Sequence, residues 1–117
     1  MKYMLLFFAD EDAWMELPEE ARVAAIDRIG VWYGQHAQAG RIIEGRRLRG
    51  KGTATTVRLG PAGRSEEPVI VDGPFIEAKE AIGSYAIVEV ANLDEALSLA
   101  RSWPGGGGIE IRPALEE

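Results

Sequence analysis

The chain has 117 residues, 46% hydrophobic and 27% charged, with a formal net charge of -6. It has no cysteine and one histidine, which excludes disulfides, thiolate metal sites, cysteine nucleophiles and multi-histidine metal centres. The length is that of one domain, residues 1–117, and the acidic balance disfavours nucleic acid and anionic membranes as bulk partners.

Residues 2–9 are apolar at consecutive positions from Tyr3 to Phe8, as in a strand covered on both faces. This run is too short to span a membrane and lacks a signal-peptide pattern, so the expected location is the cytoplasm. Pro18-Glu19-Glu20 then opens a helix, proline suiting the first position and acids the positive end of the dipole. Its apolar stripe is Ala25, Ile26, Ile29, Tyr33, His36 and Ala37, and Gly40 ends it. Strands follow over 41–45, 53–59 and 68–71, with a turn at Gly60-Pro61-Ala62-Gly63. A further strand covers 84–90. Asn92 and Glu95 form a capping box for a second helix, which is expected to bury Leu93, Ala96, Leu97 and Ala100. Gly105 to Gly108 read as a flexible turn, and 109–112 as the last strand.

This order describes an α+β fold, a ferredoxin-like βαββαβ unit. Both helices lie on one face of an antiparallel sheet, which leaves the other face bare. An apolar bare face implies a partner, most simply a second copy. The expected assembly is a homodimer with a cavity or core between two sheets.

Several residues carry candidate chemistry. Gly45 to Lys51 fits the spacing of a phosphate-binding loop, but such a loop must open a helix, and here a strand follows. Arg46, Arg47, Arg49 and Lys51 form the densest basic cluster, with no aromatic between Ile42 and Pro74 to stack bases. Nucleic acid is therefore an unlikely partner by this reading; an anionic ligand, a partner protein or plain solvation remain. His36 is the natural proton-transfer group near neutrality, against a plainly structural role on the helix stripe. Asp72, in Asp72-Gly73-Pro74, offers a carboxylate or fixes its own turn. Tyr85, Glu77 and Lys79 are polar groups close to that turn, and Arg112 suits a carboxylate. Trp14, Trp32 and Trp103 read as packing.

The stretch Val71-Asp72-Gly73-Pro74-Phe75-Ile76-Glu77-Ala78-Lys79-Glu80 resembles the DGPF-motif branch of the YCII-related proteins. The likeness extends through Gly83, Tyr85 and Ile87 to Val90, Leu93 to Leu97, Ile109 to Pro113, and the opening Met1 to Leu6 with Asp10, Glu11 and Trp14. It implies a ferredoxin-like unit dimerised as an α/β barrel in a small bacterial cytoplasmic protein. The wider group implies a histidine–aspartate active site. Here Asp72, Gly73, Pro74, Phe75, Glu77, Lys79 and Tyr85 correspond to the motif residue by residue, and His36 stands outside it.

Three functions follow as expectations. One is a homodimer that binds a small polar or anionic metabolite through Asp72, Tyr85, His36, Glu77, Lys79 and Arg112. Another is an enzyme that needs neither metal nor organic cofactor, with His36 and Asp72 as its acid–base pair. The third is an interaction module, linked to transcriptional regulation, that acts through the loop from Arg46 to Lys51.

Overall fold

A computed structural model describes residues 1–60, 68–76 and 78–116. Its elements run β1 (Lys2–Asp10), α1 (Glu11–Glu16), α2 (Glu19–Gln38), β2 (Ile42–Arg47), a 3-10 turn (Lys51–Thr53), β3 (Thr55–Arg58), β4 (Val69–Asp72), β5 (Glu80–Glu89), α3 (Leu93–Arg101) and β6 (Gly108–Pro113). Four strands form one sheet in the order β2-β5-β1-β6, and β3 pairs with β4 in a separate two-stranded ladder. All four pairings are antiparallel. This mixed α+β arrangement agrees with a ferredoxin-like unit.

β1 shows how the layers form. Tyr3, Leu5 and Phe7 are buried, whereas the alternate Met4, Leu6 and Phe8 are only half-buried. A strand sends successive side chains to opposite faces, so one face carries the core and the other does not. Ser84, Ala86 and Val88 of β5 continue the buried face. Both long helices pack there. Phe7 meets Trp103 at 4.3 Å between ring centroids and Trp32 edge-on at 6.0 Å, while α3 inserts Ala96 and Leu99 into the same cluster. The Trp32 indole donates to Ser102 Oγ at 2.8 Å, and Ser102 Oγ donates to the Leu99 carbonyl at 2.6 Å. The one buried indole N–H is thus satisfied.

Several sequence expectations are corrected. β1 does not lead directly to the long helix. Asp10 accepts from the Ala13 amide at 3.1 Å and caps a short α1. On α2, Ile26 and Ala37 are exposed and Trp32 takes the buried position. On α3, Leu93 is exposed and Leu99 is buried. The capping box at Asn92 forms, with the Glu95 amide donating to Asn92 Oδ1 and the Ala91 amide to Glu95 Oε2. The glycine run is a packing requirement as well as a turn. Gly107 has φ +83, and a Cβ there would lie 2.0 Å from the Phe8 carbonyl oxygen.

The β3–β4 ladder stands away from this body. Every residue of β4 is exposed, and the radius of gyration is 16.4 Å, against about 13 Å for a compact domain of this length. The expected turn at 60–63 lies outside the described residues after Gly60.

Candidate functional site

The helix-free face of the sheet gathers the largest set of functional side chains. Residues directly opposite in a ladder share a face, so the register gives its layout. Met4 pairs with Ile87 and Arg112, Leu6 with Tyr85 and Glu110, Ile87 with Glu44, and Tyr85 with Arg46. The centre is therefore an apolar strip of Met4, Leu6, Phe8, Ile82 and Ile87, flanked by Tyr85. The two edge strands add an acid and a base each, Glu44 with Arg46 and Glu110 with Arg112.

The polar contacts on this face are local. The Tyr85 hydroxyl donates to Glu44 Oε1 at 3.2 Å. Lost solvation, then the hydrogen bond and charge of Glu44, hold the Tyr85 pKa above its ordinary value, so the phenol is a donor near neutrality. Arg112 lies 4.0 Å from Glu110 and is largely exposed, a pair that contributes little to stability. Tyr85 and Arg112 share the face, but β1 separates them.

Sequence reasoning missed Glu44 and placed Arg46 in a solvated loop. The structure puts Arg46 on β2 and splits the basic cluster. A register shift between Ile42 and Glu44 turns Glu44 and Arg46 towards the helix-free face. Alternation of Glu44 and Arg46 around Gly45 was the available signal, but a bulge residue such as Ile43 has no sequence mark.

A second group occupies the end of the sheet where β1 finishes and β5 begins. Lys79 Nζ lies 3.7 Å from Asp10 Oδ2, and Asp10, Ala78, Lys79 and Glu80 line an open recess of about 470 Å³. Nearby in the chain, the Lys51 amide donates to Glu11 Oε2 at 2.8 Å. The loop that imitates a phosphate-binding spacing thus binds a carboxylate of its own chain, and β3 follows it instead of a helix.

Asp72 is exposed at the end of β4, opposite Thr55. Its neighbour Gly73 has φ +101 and donates its amide to the Ala54 carbonyl at 2.7 Å, while Thr56 Oγ1 donates to the Gly73 carbonyl. These bonds hold the Asp72–Pro74 turn to Ala54, just after the 3-10 turn, and to Thr56 of β3. Glu77 lies outside the described residues.

His36 belongs to the opposite layer. It stacks on Trp32 at 4.9 Å, and Arg41 Nη1 lies 3.2 Å from its Nδ1. Arg41 sits just before β2, where its carbonyl accepts from the Glu89 amide. Ala54 and Thr56, which hold the Asp72 turn, follow in the chain after the far end of β2, where the Leu48 amide donates to the Gly83 carbonyl. The length of β2 alone separates these ends by roughly 16 Å. No contact joins His36 to Asp72 in one chain: His36 meets Trp32 and Arg41, and Asp72 pairs with Thr55. Burial, then the charge of Arg41, also lowers the His36 pKa, so the imidazole is neutral at pH 7.

Among the described residues, no group of three or more His, Asp or Glu is placed to hold a metal ion. No helix among the described residues is long and apolar enough to cross a membrane. The sequence matches the YCII-related domain over residues 1–116. The chain belongs to the YCII-related family. This YCII-related chain is 31% identical over 117 residues to an uncharacterized protein of Rhizobium meliloti (strain 1021), the alignment covering 97% of this chain and 91% of that one. The YCII-related domain therefore includes every element described above, from β1 to β6.

Proposed function

We propose that this YCII-related protein, of the DGPF-motif branch, is a cytoplasmic homodimer whose helix-free sheet faces meet as an α/β barrel and hold a small polar or anionic metabolite. One observation carries the reading. The sheet face bearing Met4, Leu6, Phe8, Ile82 and Ile87 lies opposite the one on which α2 and α3 pack, and it carries a tyrosine hydroxyl and two arginines among those apolar groups. Apolar walls with a few convergent polar groups are the usual makeup of a small-molecule site. Tyr85 is the hydrogen-bond donor of the site, and Arg46 and Arg112 attract a carboxylate or phosphate. Lys79 stands at the sheet end, beside Asp10.

The separation of His36 from Asp72 in one chain removes the support for an acid–base pair between them. His36 serves α2 packing instead. The basic cluster is divided between β2 and the following turn.

Native mass spectrometry of the purified protein tests the proposal, followed by thermal melts against a panel of small carboxylates and phosphates. A dimer that retains or is stabilised by such an anion supports it, since a ligand at 100 times its Kd adds about 2.7 kcal/mol. Tyr85→Phe is then expected to keep the dimer and lose most of that stabilisation. A monomer, or a dimer that no anion in the panel stabilises, rejects it.

A further inference from the structure

The register sets the helix-free face in rows. One row reads Glu44, Ile87, Met4, Arg112, and the next reads Arg46, Tyr85, Leu6, Glu110. Beyond them Ile82 stands beside Phe8 at one end, and Glu89 beside Lys2 at the other. The four corner charges alternate in sign, with acids on one diagonal and bases on the other.

This pattern is self-complementary. Consider a two-fold axis parallel to the strands, midway between β1 and β5. It lays β2 over the partner's β6, and β5 over the partner's β1. Glu44 then faces the partner's Arg112, Arg46 faces the partner's Glu110, and Lys2 faces the partner's Glu89. Ile87 falls on the partner's Met4, Tyr85 on the partner's Leu6, and Ile82 on the partner's Phe8. Every acid meets a base, and the apolar strip meets itself. An axis across the strands also sets acids on bases at the corners. It turns Ile82 and Phe8 onto the partner's Glu89 and the partner's Lys2, which buries ions against apolar groups at a cost. The strand-parallel axis alone satisfies all four rows. Packed sheets cross at about 30°. That angle moves a corner about 7 Å from the axis by only about 4 Å, within the reach of an arginine side chain.

We infer that two copies pair about this strand-parallel axis, and that each ligand site is completed by the partner's Arg112 at the seam where Glu44 accepts the Tyr85 hydroxyl. The inference rests on the proposed dimer and adds to it the orientation and the composite site. Tyr85 and Arg112, which β1 separates in one chain, serve the same site only when they come from different chains. The site then sits at the two rims of the sandwich, and Met4, Leu6 and Ile87 fill the centre.

Charge exchange tests it. Glu44 and Arg112 are exposed on opposite edges of the sheet, so the single variants Glu44→Arg and Arg112→Glu keep the fold, which thermal melts verify. Each variant is expected to weaken its homodimer tenfold or more, because like charges meet at both seams. Mixed together, the two variants form a heterodimer with opposite charges at both seams, exceeding the statistical half of the dimers in native mass spectrometry. The double variant Glu44→Arg with Arg112→Glu regains wild-type affinity. A wild-type dimer indifferent to these changes, or a statistical mixture, overturns the seam and leaves the dimer standing. Rescue of Glu44→Arg by Arg46→Glu overturns it in favour of the axis across the strands. A monomeric wild type removes the dimer and the seam together.

Discussion

The Arg41 guanidinium stands 3.2 Å from Nδ1 of His36. Arginine has no acceptor, so Nδ1 accepts and the imidazole proton sits on Nε2. Protonation of His36 would set a cation against Arg41. Burial, then this charge, lowers its pKa in the folded state. The sign follows from linkage. Between the lowered folded value and the unfolded value of about 6.5, the unfolded chain binds the extra proton. Stability therefore rises with pH through that window and falls on acidification below about 6.5. Melting temperatures from pH 7.5 to 5.5 check this. The wild type is expected to lose more over that range than His36→Gln, and equal losses would contradict the assignment.

Gly107 combines a positive φ with a Cβ position 2.0 Å from the Phe8 carbonyl oxygen. Gly107→Ala demands strained backbone and a shift of β1 against β6. A loss of about 2–4 kcal/mol is expected in denaturant unfolding. Gly106→Ala, where a Cβ meets nothing within 4 Å, serves as the control and is expected to change stability by under about 1 kcal/mol.

Ser102 relays a hydrogen bond from the Trp32 indole to the Leu99 carbonyl. Ser102→Ala leaves the indole N–H unsatisfied within the core at a cost of about 1–3 kcal/mol. Trp32→Phe in the Ser102→Ala background measures the coupling. If the two losses simply add, the relay is not the reason Ser102 matters.

Leu6 stands at the centre of the helix-free face, between Tyr85 and Glu110. Leu6→Glu places a charge in the proposed dimer core, opposite the partner's Tyr85, and is expected to give a folded monomer. Sedimentation equilibrium and circular dichroism check this jointly. A variant that remains dimeric at micromolar concentration would locate the dimer contact elsewhere.

The split of the sheet into a core face and a bare face was legible in the βαββαβ order, because two helices on one side of an antiparallel sheet leave its other side without cover. The capping box at Asn92 was equally legible, since its bonds span only Ala91 to Glu95. The short α1 was not read, although Asp10 carries the right side chain for a cap. Its signal is a single residue next to a strand. The stripe read for α2 took Ile26 as buried, whereas Trp32, read as packing, holds that side. Helical spacing allows either, and the gap beside Phe7 and Trp103 decides which side chain fits.

The candidate site divides in the same way. Tyr85, Lys79, Asp72 and Arg112 are candidates that residue type and motif single out. That His36 stands against Arg41, before β2, while the Asp72 turn is tied to Ala54, beyond it, was not legible, because neither motif nor period records contacts through space. Glu44 became a site residue only through the register shift at β2.

The sequence alone carried the α+β order, the apolar strand, the capping box at Asn92 and the resemblance of the Asp72–Glu80 stretch. Each rests on local physics: alternation, helical period, or a few neighbouring hydrogen bonds. Only the tertiary structure decided which charges share a row. The checkerboard of Glu44, Arg46, Glu110 and Arg112 comes from three strand pairings across distant parts of the chain. A one-residue slip in any of them would send its members to the other face.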